Sequence, residues 1–159
     1  MIAMEIAGKM KMSLISVMQN LAVIKGKPGW LGSFVISLVN ACGRFKPLHF
    51  VWFHNDKKDP NKITGCCAQA VEIESGELIV GSPITEETVR GFGWDKKDNS
   101  MWNIPGQREQ MFQYRAAAYF ARAKCPEVLN GLYTKEELMD IENDYSGAEK
   151  VTINLGGNK

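Results

Sequence analysis

The chain has 159 residues, of which 45% are hydrophobic and 23% charged, and it carries a net charge of +1. That composition suits one globular domain and excludes a polycation, a disordered chain and, with no apolar run long enough, a membrane-spanning helix. Four cysteines without a CxxC and two histidines, His49 and His54, in an apolar stretch read as reduced core thiols of a cytosolic protein with no metal site.

The first segment, 1–12, is expected to be helical: Ile2, Ile6 and Met10 recur every four residues, with Ala3 and Ala7 beside them. A helix that starts at the first residue suggests a chain beginning part-way into a larger fold. Ser13 is placed to cap a second helix over 14–20. Residues 22–31 read as a hairpin. Val23 and Ile24 form one arm, Lys25-Gly26-Lys27 the basic turn, and Trp30 lies on the other arm. Ser33 would cap a third helix over 34–42, apolar nearly all round and ended by Gly43, and therefore expected to be buried.

The middle third changes period. Residues 48–54 are β-branched and aromatic, 55–62 are a polar loop, 63–74 form a longer strand, Ser75-Gly76 is a turn and 77–81 returns. The result is a three-stranded antiparallel meander. Gly65, Cys66, Ala68 and Ala70 leave room for a helix to pack closely on its middle strand. Thr85 caps a short helix over 85–90, which Gly91 and Gly93 break. The loop 94–103 is polar but holds Trp94 and Trp102. Tryptophans in such a loop anchor it to the domain or stack on a base.

The longest helix is expected over 106–124, with Pro105 at its start and Pro126 beyond its end. Arg108, Phe112, Arg115, Tyr119 and Arg122 follow at steps of four, three, four and three, so they share one face. Met111, Ala117, Ala118, Ala121 and Cys125 fill other faces and invite close packing. Singly, an arginine on a helix is a solvated residue and an aromatic at this spacing is core. Together they form a stripe suited to a nucleic-acid strand, with Lys124 at its end. After a short turn over 126–130, Gly131 and then Thr134-Lys135-Glu136-Glu137 open a last helix with a capping box. Residues 146–159 read as a flexible tail, although Val151, Ile153 and Leu155 alternate like an edge strand. The fold class is α+β, with one domain over 1–145: N-terminal helices and a β-hairpin, the meander, the long central helix and a C-terminal helix.

Charge is unevenly spread. Residues 1–50 carry a net +5, 51–104 a net −3, 105–125 a net +3 and 126–159 a net −4. A local basic surface binds phosphates without a basic total. No GxxxxGK[ST], HExxH or GxSxG motif occurs, and no carboxylate cluster suggests catalysis. The reading is therefore of a protein that is not an enzyme and uses no cofactor.

The order of these pieces resembles the C-terminal half of phage and prophage RecT-type recombinases. The resemblance rests on Trp102-Asn103-Ile104-Pro105, Gln110-Met111, Tyr114-Arg115-Ala116-Ala117, Phe120-Ala121-Arg122, Cys125-Pro126-Glu127-Val128-Leu129, Gly131-Leu132 and 134–140. Upstream, Val17-Met18-Gln19-Asn20-Leu21, Ile24, Gly26-Lys27-Pro28 and Trp30 match the opening of the same domain. It implies ATP-independent binding of single-stranded DNA and annealing of a complementary strand in phage recombination and repair. It also implies work in the bacterial cytoplasm, homo-oligomeric rings or helical filaments, and partners such as a phage exonuclease or the host single-strand-binding protein. Lys25, Lys27, Arg115 and Arg122 would line the DNA groove, with Arg108, at the helix entrance, a lesser candidate. Family members usually have more chain before the position of Met1 and often a separate C-terminal region. The competing readings are a RecT-like module that binds a protein, such as a host defence component, and, least favoured, an enzyme acting on nucleic acid.

Overall fold

Local signals set most element boundaries in the computed structural model, which describes residues 1–141. Helix α1 spans Ile2–Met10 and α2 spans Leu14–Asn20. The Ser13 side chain accepts a hydrogen bond from the Ser16 amide at 3.1 Å, capping α2 as expected. Strands β1 (Leu21–Ile24) and β2 (Lys27–Trp30) pair antiparallel with Ile24 opposite Lys27. The turn is thus two residues, not three, and Lys27 belongs to β2. Lys25 and Gly26 have φ of 45° and 81°, the positive values that a tight hairpin turn requires.

Helix α3 covers Gly32–Ala41. Its cap is the backbone of Leu31, with no side-chain bond, so Ser33 lies inside the helix and does not cap it. Nor is α3 buried all round. Val35 and Val39 are enclosed, whereas Phe34, Leu38 and Cys42 are half-buried and Ser33 and Ser37 face solvent. A Cβ on Gly32 would lie 2.5 Å from the Tyr114 ring, so this glycine permits close approach of the long helix.

The meander forms as expected from β3 (His49–Phe53), β4 (Gly65–Val71) and β5 (Leu78–Val80), with β4 in the middle. The sequence pattern overstated the length of β4 and missed β6 (Ile84–Thr85), which pairs with the start of β4 on the edge that β5 occupies further along. Helix α4 (Glu86–Phe92) begins with Thr85 and Thr88 in a reciprocal cap and ends at Gly93 in the left-handed region. Gly91 lies within α4 and does not break it.

The segment after α4 is two 3-10 turns, 94–96 and 101–103, and both tryptophans are buried as anchors. Helix α5 spans Gln107–Lys124. Its cap is Gly106 at φ 79°, so Pro105 precedes the helix and does not open it. Helix α5 packs on the β4 sheet and on α3, burying Met111, Ala116, Ala117, Ala118, Phe120 and Ala121. Cys66, Ala68 and Ala70 of β4 are fully enclosed, in keeping with the small-residue expectation. Cys66 and Cys125 are free thiols whose pKa burial pushes up to about 12, so they act as small core residues.

A 3-10 turn over Pro126–Leu129 leads to β7 (Tyr133–Thr134) and α6 (Lys135–Ile141). β7 pairs parallel with β2, a pairing between residues about a hundred positions apart that local patterns do not reveal. The capping box forms: the Thr134 amide donates to Glu137 at 2.8 Å and the Glu137 amide to Thr134 at 3.1 Å. The Trp30 indole donates to the Leu129 carbonyl at 3.0 Å, and Glu136 accepts from the Gly32 amide at 3.1 Å. These bonds fasten hairpin and α3 to the α5–α6 corner. The expected tail, 146–159, lies outside the described residues.

Candidate functional site

The expected stripe divides where α5 passes under its neighbours. Arg108 donates to Glu86 at 2.6 Å and to the Trp102 carbonyl at 3.1 Å, and its guanidinium lies 5.4 Å from the Phe112 ring centroid. It joins α5 to α4. Phe112 is fully buried, in an edge-on contact with Trp102 at 5.1 Å between centroids. The expectation that Phe112 faces a nucleic-acid strand is corrected: its ring is core. Lys124 is half-buried, and its carbonyl accepts from Arg44 at 2.7 Å.

The rest of the stripe, Arg115, Tyr119 and Arg122, opens onto a cleft of about 480 Å³. Phe92 and Trp94 form one wall, and Tyr133 with Glu137, Asp140 and Ile141 of the α6 region contributes another. Two ion pairs hold α5 to α6 across it. Arg122 bonds Glu137 through both nitrogens, at 2.7 and 2.8 Å. Arg115 pairs with Asp140, and both side chains are buried, at 4% and 7% exposure. The Arg115 guanidinium also lies 4.0 Å from the Trp94 ring centroid, and that of Arg122 lies 4.9 Å from Tyr133. Asp140 further accepts from the Trp102 indole at 3.3 Å, with Lys97 at 3.7 Å from its other oxygen.

Arg115 is therefore not a freely presented phosphate contact. Geometry sets α5 so that its guanidinium points under the cleft surface, where Asp140 neutralises it. Burial, the dominant influence, pushes the Arg115 pKa down and that of Asp140 up, against the attraction within the pair. The other pair balances differently. Burial pushes Glu137 up, but the Arg122 bonds and the charge of both arginines outweigh it, and its carboxyl ends below the usual range. Arg122 is correspondingly raised, because Glu137 more than offsets burial.

The sign for Glu137 gives a pH prediction. A lowered folded-state pKa contributes stability that is present above the unfolded value of 4.5 and lost as pH falls through the folded one. Glu137→Gln should therefore be less stable than the parent at pH 7, with the gap narrowing well below pH 4.5. Urea denaturation at both ends of the range measures it; a gap that does not change with pH would contradict the assignment.

The cleft is close to neutral in charge, with two arginines set against two carboxylates. Lys25 and Lys27 stand exposed at the hairpin tip, at the opposite end of β2 from Gly29 and Trp30, which pair with β7. The sequence reading placed Arg115, Tyr119 and Arg122 together, as found, but missed Phe92, Tyr133, Glu137 and Asp140. One signal was available: the net −4 after residue 125 follows directly on the net +3 of 105–125, and Glu137 and Asp140 sit three apart on one helical face. Among the described residues no group of His, Cys, Asp and Glu could hold a metal ion, and no helix is long and apolar enough to cross a membrane. Comparison with protein-family models, curated proteins and solved structures finds no match to this chain.

Proposed function

We propose that this protein binds single-stranded DNA and anneals complementary strands without ATP. The observation that carries the reading is the cleft on α5, where the half-buried Tyr119 and Arg122 meet the exposed rings of Phe92 and Tyr133. Aromatic faces stack with any base, and a strand held extended with its bases available lowers the entropic cost of nucleating a duplex. Lys25 and Lys27 supply phosphate contacts in this reading. The order of RecT-like pieces along 2–141 supports it independently of the cleft. Self-assembly belongs to the same proposal and is supported by the exposed Ile2, Met4, Ile15 and Met18 on α1 and α2.

A second reading, a module that docks a protein partner, is favoured by those same exposed apolar residues and by the near-neutral cleft. Fluorescence anisotropy with a labelled ~30-nucleotide strand, repeated across salt, separates the two. The annealing reading expects salt-sensitive binding that becomes longer-lived when the complement is added. Lys25→Gln with Lys27→Gln should reduce the slope of log K against log salt by roughly 1.4, at about 0.7 per phosphate contact on a single strand. A folded parent protein that ignores the strand at low salt would overturn the reading in favour of a protein partner.

A further inference from the structure

Three rings step outward from the core to the cleft. Trp102 is fully enclosed, Trp94 is 6% exposed and Phe92 is 61% exposed. Trp102 and Trp94 are stacked at 5.5 Å between centroids and 20° between planes. Trp94 and Phe92 are stacked at 5.1 Å and 10°. The near-parallel rings follow one another with offset centroids, and the series ends at Phe92, which lines the cleft. Polar contacts fix the inner rings: Asp140 accepts from the Trp102 indole, and the Arg115 guanidinium lies against Trp94. Phe92 itself sits in the last turn of α4, just before left-handed Gly93, which turns the chain so that Trp94 comes back beneath it. A large apolar ring left this exposed at the end of a rigid stack is a platform for a further ring.

We infer that the Phe92 end of the cleft is a nucleobase subsite, in which one base of a bound single strand stacks on Phe92 as the fourth member of this column. The inference rests on the DNA-binding reading above and specifies how this part of the strand is held. Charge distinguishes a base from a phosphate here. Arg122 is engaged by both oxygens of Glu137, and Arg115 by Asp140. A phosphate brought into the cleft would meet two carboxylates and two guanidiniums already paired. A neutral planar ring meets aromatic faces and pays no such cost. The size agrees, since about 480 Å³ lies within the roughly 300–1,000 Å³ of small-molecule pockets. With the carboxylates already engaged, the subsite reads the π face of a base and not its edge, and purines, with the larger face, should bind better than pyrimidines.

The test compares the full chain with Phe92→Ala and Phe92→Trp on two labelled ~10-nucleotide strands, a length within the roughly 4–16 nucleotides that one binding unit covers. One strand carries adenines and the other is abasic with the same backbone. The parent should prefer the adenine strand by roughly 5- to 150-fold, the range expected for one stacked base. Phe92→Ala should lose most of that preference, Phe92→Trp should keep it, and the salt slope should be unchanged in both. If Phe92→Ala does not fold, Phe92→Leu, which covers Trp94 without a π face, takes its place with the same expectation. A preference for the adenine strand that survives removal of the ring would overturn the subsite while leaving DNA binding intact. Equal binding of both strands by the parent would do the same. Failure of the folded parent to bind either strand at low salt would overturn the DNA-binding reading and the subsite with it.

Discussion

Asp140→Ala is expected to destabilise the protein by about 3–5 kcal/mol, the usual cost of leaving one partner of a buried ion pair without the other. For a chain of this size that is a fall in Tm of roughly 6–20 °C. Arg115 and Asp140 are 4% and 7% exposed, so water does not replace the lost carboxylate. The Trp102 indole loses its acceptor in the same step. The pair as a whole is a different matter. Burial opposes the charged form of both partners, and replacing a buried ion pair by well-packed apolar residues is often neutral or stabilising. Arg115→Met combined with Asp140→Leu should therefore recover most of the loss, apart from about 1–3 kcal/mol for the indole left unpaired. A double variant no more stable than Asp140→Ala alone would show that the pair stabilises outright. The experiment bears on function as well. Arg115→Ala would lower DNA binding simply by unfolding the site, so Lys25, Lys27 and Phe92 are the informative positions for binding.

Phe112→Ala is expected to cost about 3–5 kcal/mol, as for other enclosed aromatic residues cut to alanine. Its ring is fully buried, edge-on to Trp102 and beneath the Arg108 guanidinium. Removing it would leave a void between α5 and the 3-10 turn that carries Trp102, and so loosen the base of the aromatic column. Phe112→Leu should cost much less, because most of the volume is kept. DNA affinity per folded molecule should be the same for Phe112→Leu as for the parent. Chemical denaturation and strand binding on the same samples decide the matter. Lost affinity with retained stability would mean that the ring is a contact after all.

Arg108, Phe112, Arg115, Tyr119 and Arg122 show how far a periodic pattern reaches. Periodicity states that five side chains share one face of α5; it does not state what covers that face. Here α4 and the 3-10 turns cover its first half and α6 covers part of the second. Arg108 and Phe112 thereby become structural, and Arg115 becomes half of a buried pair. The exposed pair of aromatics opposite, Phe92 and Tyr133, comes from segments about forty residues apart that carry no periodic signal.

Local residue patterns dictate the features that depend on neighbours within about four residues. These are the caps at Ser13, Thr85 and Thr134, the hairpin around Lys25-Gly26, the strands of the meander and the extent of α5. Each follows from a backbone donor needing an acceptor nearby or from a fixed helical or strand period. The pairing of β7 with β2, the stacked rings, the two ion pairs across the cleft and its near-neutral charge follow only from how the elements pack. Those depend on which surfaces meet, and burial changes the meaning of a charge: the same arginine that would grip a phosphate in water must, once desolvated, be given a carboxylate of its own.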